Sequence, residues 1–556
     1  MCRAASVSSP VRPDPEPPTR EKGVVEGAPS PTKIQQVRRW SLLLRRHREV
    51  QFARAALVGL GAGAVAVLFQ KALSLAEGAR ASLLSWLKGF PEWGWAVLPL
   101  VAAVLAGIAG WLTSRYAPEA AGSGIPHLKG VLLQVRRLSW RRLLPVKFTG
   151  GVLAIGAGLS LGREGPTVQM GAAVGQAVGQ MLKVPRRSRS HLMSAGAGAG
   201  LAAAFNAPLA GFIFTIEELH RELSPLTYGT ALIGAVVADI VARSWMGQLP
   251  SFHISGYPMP DLTALPLFAI LGLVTGLMAA IFNRALLGSL QLSHRLERVP
   301  AWAKASGLGA VAGLVAWWLP EAVGGGHSTA ERILRGEYAS LDFLPFLAVL
   351  FLAKFALTVA SYGTGVPGGI FAPMLVLGAS IGLMVGQISF LCVPGLAHTP
   401  AAFAVVGMAS AFAAIVGAPL TGIVLILEMT GNYEQLFPLL VACMVAFLTA
   451  ERLRVEPIYE ALLQYDLQRT GAHAGQYAEH VMMDVTVEPH SPMDGRRVRN
   501  LGLPRGCLLV LIRRGGREIV PGGETRLRPG DQLQVVVAGD ISHACALIRE
   551  AARSFS

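Results

Sequence analysis

Three short stretches of this sequence combine glycine, proline and a few reactive or polar residues at fixed spacing. They are Gly122-Ser123-Gly124-Ile125-Pro126, Gly162-Arg163-Glu164-Gly165-Pro166 and Gly369-Ile370-Phe371-Ala372-Pro373. Proline is tolerated in the first turn of a helix, where its missing N–H costs nothing, so Pro126, Pro166, Pro208, Pro373 and Pro419 each predict a helix N-terminus. Such ends present unpaired N–H groups and the positive end of the helix dipole. Several of them converging would coordinate an anion without a full counter-charge, which suits a site that must release its ion as readily as it binds it. A single motif of this kind is explained as well by close helix packing; the repetition points to an anion. Glu164 adds an ionisable group in an apolar run, and a charge there is costly unless it finds partners or takes up a proton. Glu217 and Glu218 form a second acidic feature, about two turns after Pro208, where a paired acid ordinarily marks a solvated helix end.

The elements that must position these residues belong in lipid. The chain of 556 residues is 52% hydrophobic and 15% charged, with a mean hydropathy of +0.48, whereas a soluble domain carries about 25% charged residues. This composition argues against a soluble enzyme. Apolar segments follow one another from about Phe52 to Thr449, and residues 52–75, 95–112, 262–287, 303–319 and 344–360 predict long membrane helices. Others are cut by Gly or Pro into pieces too short for a bilayer core of about 30 Å at 1.5 Å per residue. Non-helical backbone at membrane depth must be buried in protein or line a polar cavity, so the breaks are where function is expected.

The net charge of +15 is explained by position along the chain. Ten basic residues fall in the first fifty, and the next clusters lie between apolar segments, at Arg136, Arg137, Arg141, Arg142 and Lys147, then at Lys183, Arg186, Arg187 and Arg189. This is the pattern of short cytoplasmic loops, and it assigns the excess to a membrane face rather than to nucleic acid. Residues 1–49 are rich in Pro, Ser, Arg and Glu without periodicity, which predicts a disordered basic cytoplasmic N-terminus with no apolar signal core. Five cysteines without CxxC spacing and twelve histidines without ligand spacing give no basis for a metal, a cofactor or a disulfide framework.

An internal repeat organises residues 50–468 into halves of about 50–245 and 262–468. Residues 156–175 align without gaps on 363–382, keeping Gly162/Gly369, Pro166/Pro373, Gly171/Gly378 and Gly175/Gly382 among others. NAPLAGFIFTIEE, starting at Asn206, aligns on GAPLTGIVLILEM, starting at Gly417, with a small change of offset and one shared Glu. Two related halves with Pro-initiated broken helices are a transporter-like plan.

In order and spacing, the three motifs resemble the signatures of the CLC chloride channels and chloride/proton antiporters, over about residues 50–467. The resemblance implies an all-α polytopic inverted-repeat fold, a homodimer with one pore per subunit, and a bacterial plasma-membrane location with both termini cytoplasmic. It implies that Ser123 and Tyr459 donate hydroxyls to a central chloride, and that the backbone N–H groups of Ile370 and Phe371 complete the site. Glu164 would be the gate and outer proton acceptor, its carboxylate competing with chloride as a tethered anion. Glu218 would be the inner proton-transfer residue, since that position holds Glu in coupled antiporters and is commonly apolar in channels. The family often carries acids just after GSGIP, whereas this chain has His127 and Lys129, which places a different inner proton path among the expectations.

Residues 471–556 change to a charged, soluble composition. Cys507 to Ile512 and Asp531 to Val537 read as strands and Ile541 to Arg553 as a closing amphipathic helix. LRPGDQLQVVV resembles the TrkA_C (RCK C-terminal) domain of ion-transport regulators, a small α/β unit. A small regulatory ligand is compatible with such a domain, but no phosphate loop or dinucleotide fingerprint selects one. A cation transporter is suggested by this tail alone, and no motif of a membrane enzyme is present. The function expected is therefore exchange of chloride for protons, with a passive voltage- or pH-gated chloride channel as the alternative. Ser123 and Tyr459 match the chloride type rather than a fluoride exporter, and nitrate is compatible with the same residues.

Overall fold

The computed structural model describes residues 31–220, 225–252, 256–258, 260–394, 399–470, 481–515, 517–538 and 541–552. The longest apolar runs become long helices, even where Pro99 lies inside one of them. Pro31–Leu87, Pro91–Tyr116, Leu265–Arg295, Ala301–Trp318 and Leu344–Gly363 contain or nearly match the five long spans expected. Of the N-terminal stretch expected to lack structure, residues 1–30 lie outside the described residues. From Pro31 the backbone belongs to the first helix, whose Gln, Arg and Leu residues are good helix formers.

Among the described residues seven helices are long and apolar enough to cross a bilayer: Glu49–Leu87, Pro91–Tyr116, Thr227–Met246, Leu262–Arg295, Leu341–Gly363, Phe371–Cys392 and Tyr433–Arg452. The chain is a multi-pass membrane protein. Ala301–Trp318 is helical but falls outside this set, and it carries Lys304 in its first turn. Between the long helices lie short ones, Ile125–Leu132, Pro208–Phe214, His327–Leu334 and Pro419–Thr430 among them. A helix of eight residues covers about 12 Å and cannot span a bilayer. All five prolines expected to start helices sit in first turns, of Ile125–Leu132, Glu164–Met181, Pro208–Phe214, Phe371–Cys392 and Pro419–Thr430.

The sequence repeat is also a repeat of contacts. A Cβ on Gly171 would lie 2.1 Å from the Gly196 carbonyl oxygen, and one on the matched Gly378 would lie 2.4 Å from that of Gly407. Only glycine permits either helix crossing. A further match extends the repeat: Pro118–Ala120 and Pro320–Ala322 are both single 3₁₀ turns leading into Ile125–Leu132 and His327–Leu334, through left-handed Gly124 (φ 83°) and Gly326 (φ 82°). Behind each loop stands a buried lysine. Lys147 Nζ donates to the carbonyls of Ala120 (2.9 Å) and Gly122 (2.7 Å), and Lys354 Nζ donates to that of Gly324 (2.7 Å). Each ammonium finds the hydrogen bonds without which its burial would be prohibitive.

The acids shared by the halves exchange partners. Glu217 accepts from the N–H groups of Leu420 (3.1 Å) and Thr421 (2.7 Å), and Glu428 accepts from those of Leu209 (3.1 Å) and Ala210 (2.8 Å). Each caps the short helix of the opposite half, the reciprocity of an approximate two-fold relation.

The tail is a four-stranded antiparallel sheet with Val481–Thr486, Gln532–Val537, Cys507–Arg514 and Arg517–Ile519 side by side in that order. The helix Ile541–Ala552 follows, and Ala544 and Ile548 join the strand residues Leu509, Ile512, Val535 and Val537 in its core. The expected strands and helix are present. Val481–Thr486 and Arg517–Ile519 complete the sheet, the latter too short to show alternation.

Candidate functional site

Two short backbone bridges bring the three motifs together. Gly162 and Gly369 exchange N–H···O bonds of 2.6 and 2.8 Å, while Gly122 N–H reaches the Val366 carbonyl (3.1 Å) and Gly368 N–H the Gly122 carbonyl (3.0 Å). The loops approach so closely that a Cβ on Gly165 would stand 2.4 Å from Ser123 Oγ. Glycine is required here for contact between loops, beyond any turn it makes.

Ser123 and Tyr459 are fully buried, and among the described residues neither hydroxyl makes a hydrogen bond of regular geometry, although the two side chains approach each other. A buried hydroxyl left unpaired costs about 1–3 kcal/mol, a penalty removed by an anion that accepts from it. The phenol of Tyr459, on the helix Ile458–Thr470, has Tyr362, Glu218, Glu164 and Ser123 as its electrostatic neighbours. Ile370 and Phe371 are wholly buried at the start of Phe371–Cys392. Their N–H groups precede the first helical bond of that turn, from Met374 N–H to the Ile370 carbonyl. The Phe371 ring packs between Phe205 (centroids 5.2 Å) and Phe412 (4.7 Å), which holds this helix end in place.

Glu164 is 1% exposed and opens the helix Glu164–Met181. Its carboxylate lies within reach of its own backbone N–H, the first of that helix. Its Oε2 accepts from the Ala372 N–H at 3.3 Å, one residue beyond the N–H pair expected to bind chloride, while Arg163 Nε lies 3.8 Å from Oε1. The carboxylate thus occupies a helix N-terminus contributed by the other half, where an anion is favoured.

Glu217 and Glu218 do not form the solvated helix end that is usual for a paired acid. The helix Pro208–Phe214 widens into a π-turn, Thr215–His220, that turns both acids toward protein. Glu217 caps Pro419–Thr430, and Glu218, 1% exposed, accepts from Lys129 Nζ at 2.8 Å. Lys129 is itself on Ile125–Leu132, the helix that starts beside Ser123. His127 does not join it: its Nδ1 lies 3.3 Å from Gln169 Nε2, and it lines a separate cavity of about 670 Å³. That cavity reaches Gly122, Gly124 and Tyr362 beside the motifs, and its lining mixes Arg136, Arg137 and Arg469 with Glu119 and Asp466, the last paired with Arg136 and Arg469.

Lys147, Lys354 and the pairing of Lys129 with Glu218 were not read as functional from the sequence. Lys147 and Lys354 had a findable signal, since they stand at the same offset as Gly162 and Gly369 in the repeat. The Lys129 pair had none, because its members are 89 positions apart and share no motif.

The sequence matches the family described as voltage gated chloride channel over residues 105–451, and the TrkA-C domain over residues 482–549. It is 40% identical over 425 residues to an H(+)/Cl(-) exchange transporter ClcA of Vibrio parahaemolyticus, covering 74% of this chain and 89% of that protein. It is 41% identical over 423 residues to the ClcA of Vibrio cholerae, covering 74% and 88%. Among solved structures it resembles a slow cyanobacterial Cl−/H+ antiporter, with a TM-score of 0.72 and 36% identity, over 76% of this chain and 99% of the other. A eukaryotic CLC transporter shares the fold, with a TM-score of 0.64 and 22% identity, over 82% and 78%. The ordered motifs, the paired halves and these likenesses converge: the chain belongs to the voltage-gated chloride channel (CLC) family, with a TrkA-C domain at its C-terminal end.

Proposed function

We propose that this protein exchanges chloride for protons across a membrane, with Glu164 as gate and outer proton acceptor and Glu218 as inner proton-transfer residue. The observation that carries the reading is the Glu164 carboxylate on the Ala372 N–H, beside the buried hydroxyls of Ser123 and Tyr459. A carboxylate held by backbone N–H groups stands where a chloride would be held by the same kind of group. Ionised, it competes with chloride; protonated, it loses that attraction and leaves the N-termini to the anion. One residue thereby links anion passage to proton binding.

Glu218 supplies the second proton site, since it is buried and is an electrostatic neighbour of the same tyrosine. Ser123, Tyr459 and the N–H groups of Ile370 and Phe371 would hold the chloride between the two acids. The relatives named as H(+)/Cl(-) exchange transporters support exchange over passive conduction. The working unit in this reading is a homodimer in a bacterial plasma membrane, with the basic loops and both termini cytoplasmic. A reversal-potential measurement in proteoliposomes, under combined chloride and pH gradients, tests it. Coupled exchange shifts the reversal potential with pH; a value that follows chloride alone would replace the antiporter with a channel.

A further inference from the structure

Glu218 is almost wholly excluded from solvent, yet an inner proton-transfer residue must be supplied from water. Lys129 Nζ stands 2.8 Å from Glu218 Oε1 and 3.6 Å from Glu460 Oε2. Side-chain exposure rises along this line, from 1% at Glu218 through 7% at Lys129 to 35% at Glu460. Two ionic contacts therefore lead from the dry interior toward solvent.

Both flanking elements already serve the anion site. Lys129 lies in the helix that begins beside Ser123, and Glu460 follows Tyr459 directly. On Ile458–Thr470, the residues Leu462, Tyr465, Asp466 and Arg469 form a single stripe that lines the cavity beside the motif loops. At 3.6 residues per turn, Glu460 falls about 170° from the centre of that stripe. The carboxylate thus lies on the side of the helix turned away from the cavity that reaches the motif loops.

We propose that Glu460 is the entry point for cytoplasmic protons and that Lys129 relays them to Glu218, on a route separate from that of chloride. The proposal rests on the antiport reading. In the transfer, protonated Glu460 turns its O–H toward Lys129. The ammonium passes one N–H proton to the Glu218 carboxylate as it receives the proton of Glu460. Lysine ends as it began, Glu460 ends as a carboxylate and Glu218 as a neutral acid, so one proton moves and no charge is left behind. An amine is needed for this step, because an arginine guanidinium keeps its charge but does not give up a proton. A static ion pair, which would merely offset the burial of Glu218, has no such requirement.

The experiment records chloride efflux and chloride-driven proton uptake together, on the full-length chain in proteoliposomes, for wild type, Glu460→Gln and Lys129→Arg. The relay predicts chloride efflux within about twofold of wild type, with protons moved per chloride lowered about tenfold or more in both variants, the scale of a lost proton-transfer group. Retained chloride efflux also reports that each variant is folded. A wild-type ratio in Lys129→Arg would make the lysine an electrostatic support and overturn the relay. A wild-type ratio in Glu460→Gln, a partly exposed position that tolerates the change, would overturn the entry point by itself. Wild-type protein that moves no protons in this assay would instead reject antiport, and the relay with it.

Discussion

Glu164 and Glu218 are both buried carboxylates with 1% exposure, and they are held by opposite means. Glu164 is held by a backbone N–H at 3.3 Å, at the end of a helix from the other half, with the Arg163 guanidinium farther off at 3.8 Å; Glu218 is in direct contact with an ammonium at 2.8 Å. A backbone donor carries only a partial charge and serves any anion that reaches it, so the group it holds can be exchanged for another. A buried ammonium is a full charge that would be left uncompensated if its carboxylate departed, so the pair stays together. The lesson is that a gate suits the first environment and a fixed proton station the second. The tail offers a third case. Asp531, 1% exposed, receives both arms of the Arg514 guanidinium at 2.7 Å and the Arg528 N–H at 2.8 Å.

The largest effect is expected at the exchangeable carboxylate. Glu164→Gln imitates the protonated acid in size and neutrality, so chloride movement should continue, become insensitive to pH and lose its proton coupling entirely. Paired chloride and proton fluxes in proteoliposomes check this, and stoichiometric proton uptake in the variant would remove Glu164 from the gate. Next comes the fixed one. Glu218→Ala should abolish proton pumping while leaving chloride flux largely present, because Glu218 pairs with Lys129 and is not among the groups proposed to hold the anion. Loss of both fluxes from a folded variant would make the two acids equivalent and erase the contrast drawn between them.

A smaller effect is expected in the tail. Burial by itself would raise the Asp531 pKa, but the Arg514 fork and the Arg528 N–H outweigh it and hold the carboxyl below its usual range. A folded-state pKa depressed below the unfolded value of about 3.9 contributes stability that is present above that pH and lost as pH falls through the folded value. Protection of residues 481–552 against hydrogen exchange in the whole protein, taken relative to the intrinsic rate at each pH, should therefore fall below about pH 4. Asp531→Asn should accelerate exchange at neutral pH by about tenfold, between the values for exposed and buried ion pairs. Unchanged exchange in Asp531→Asn would show that the fork adds nothing to the tail's fold. The smallest effect is expected from removing residues 471–556. Every residue proposed to touch chloride or a proton precedes that point, so the purified protein should still exchange the two ions, as flux assays would show. A folded truncated protein without chloride transport would mean that the tail holds the Tyr459 helix in place.

Much of the membrane part is legible in the sequence because proline and glycine act locally. A proline is best accommodated in the first turn of a helix, so five prolines in the motifs mark five N-termini without reference to any partner, although Pro99 and Pro145 sit inside helices. The repeat is legible for a related reason: glycines that permit a helix crossing recur at matched positions, as Gly171 and Gly378 do. The partners of the acids are another matter. Glu217 and Glu218 are adjacent and chemically identical, yet one caps Pro419–Thr430 and the other pairs with Lys129. Which does which depends on the π-turn at Thr215–His220 and on two helices far away in the chain. By itself the sequence determined where helices begin, that an anion is suited to their ends and which carboxylates are available. Only the tertiary structure decided which donor each carboxylate faces, because a hydrogen bond is a relation between two positions in space, and local propensity specifies one position at a time.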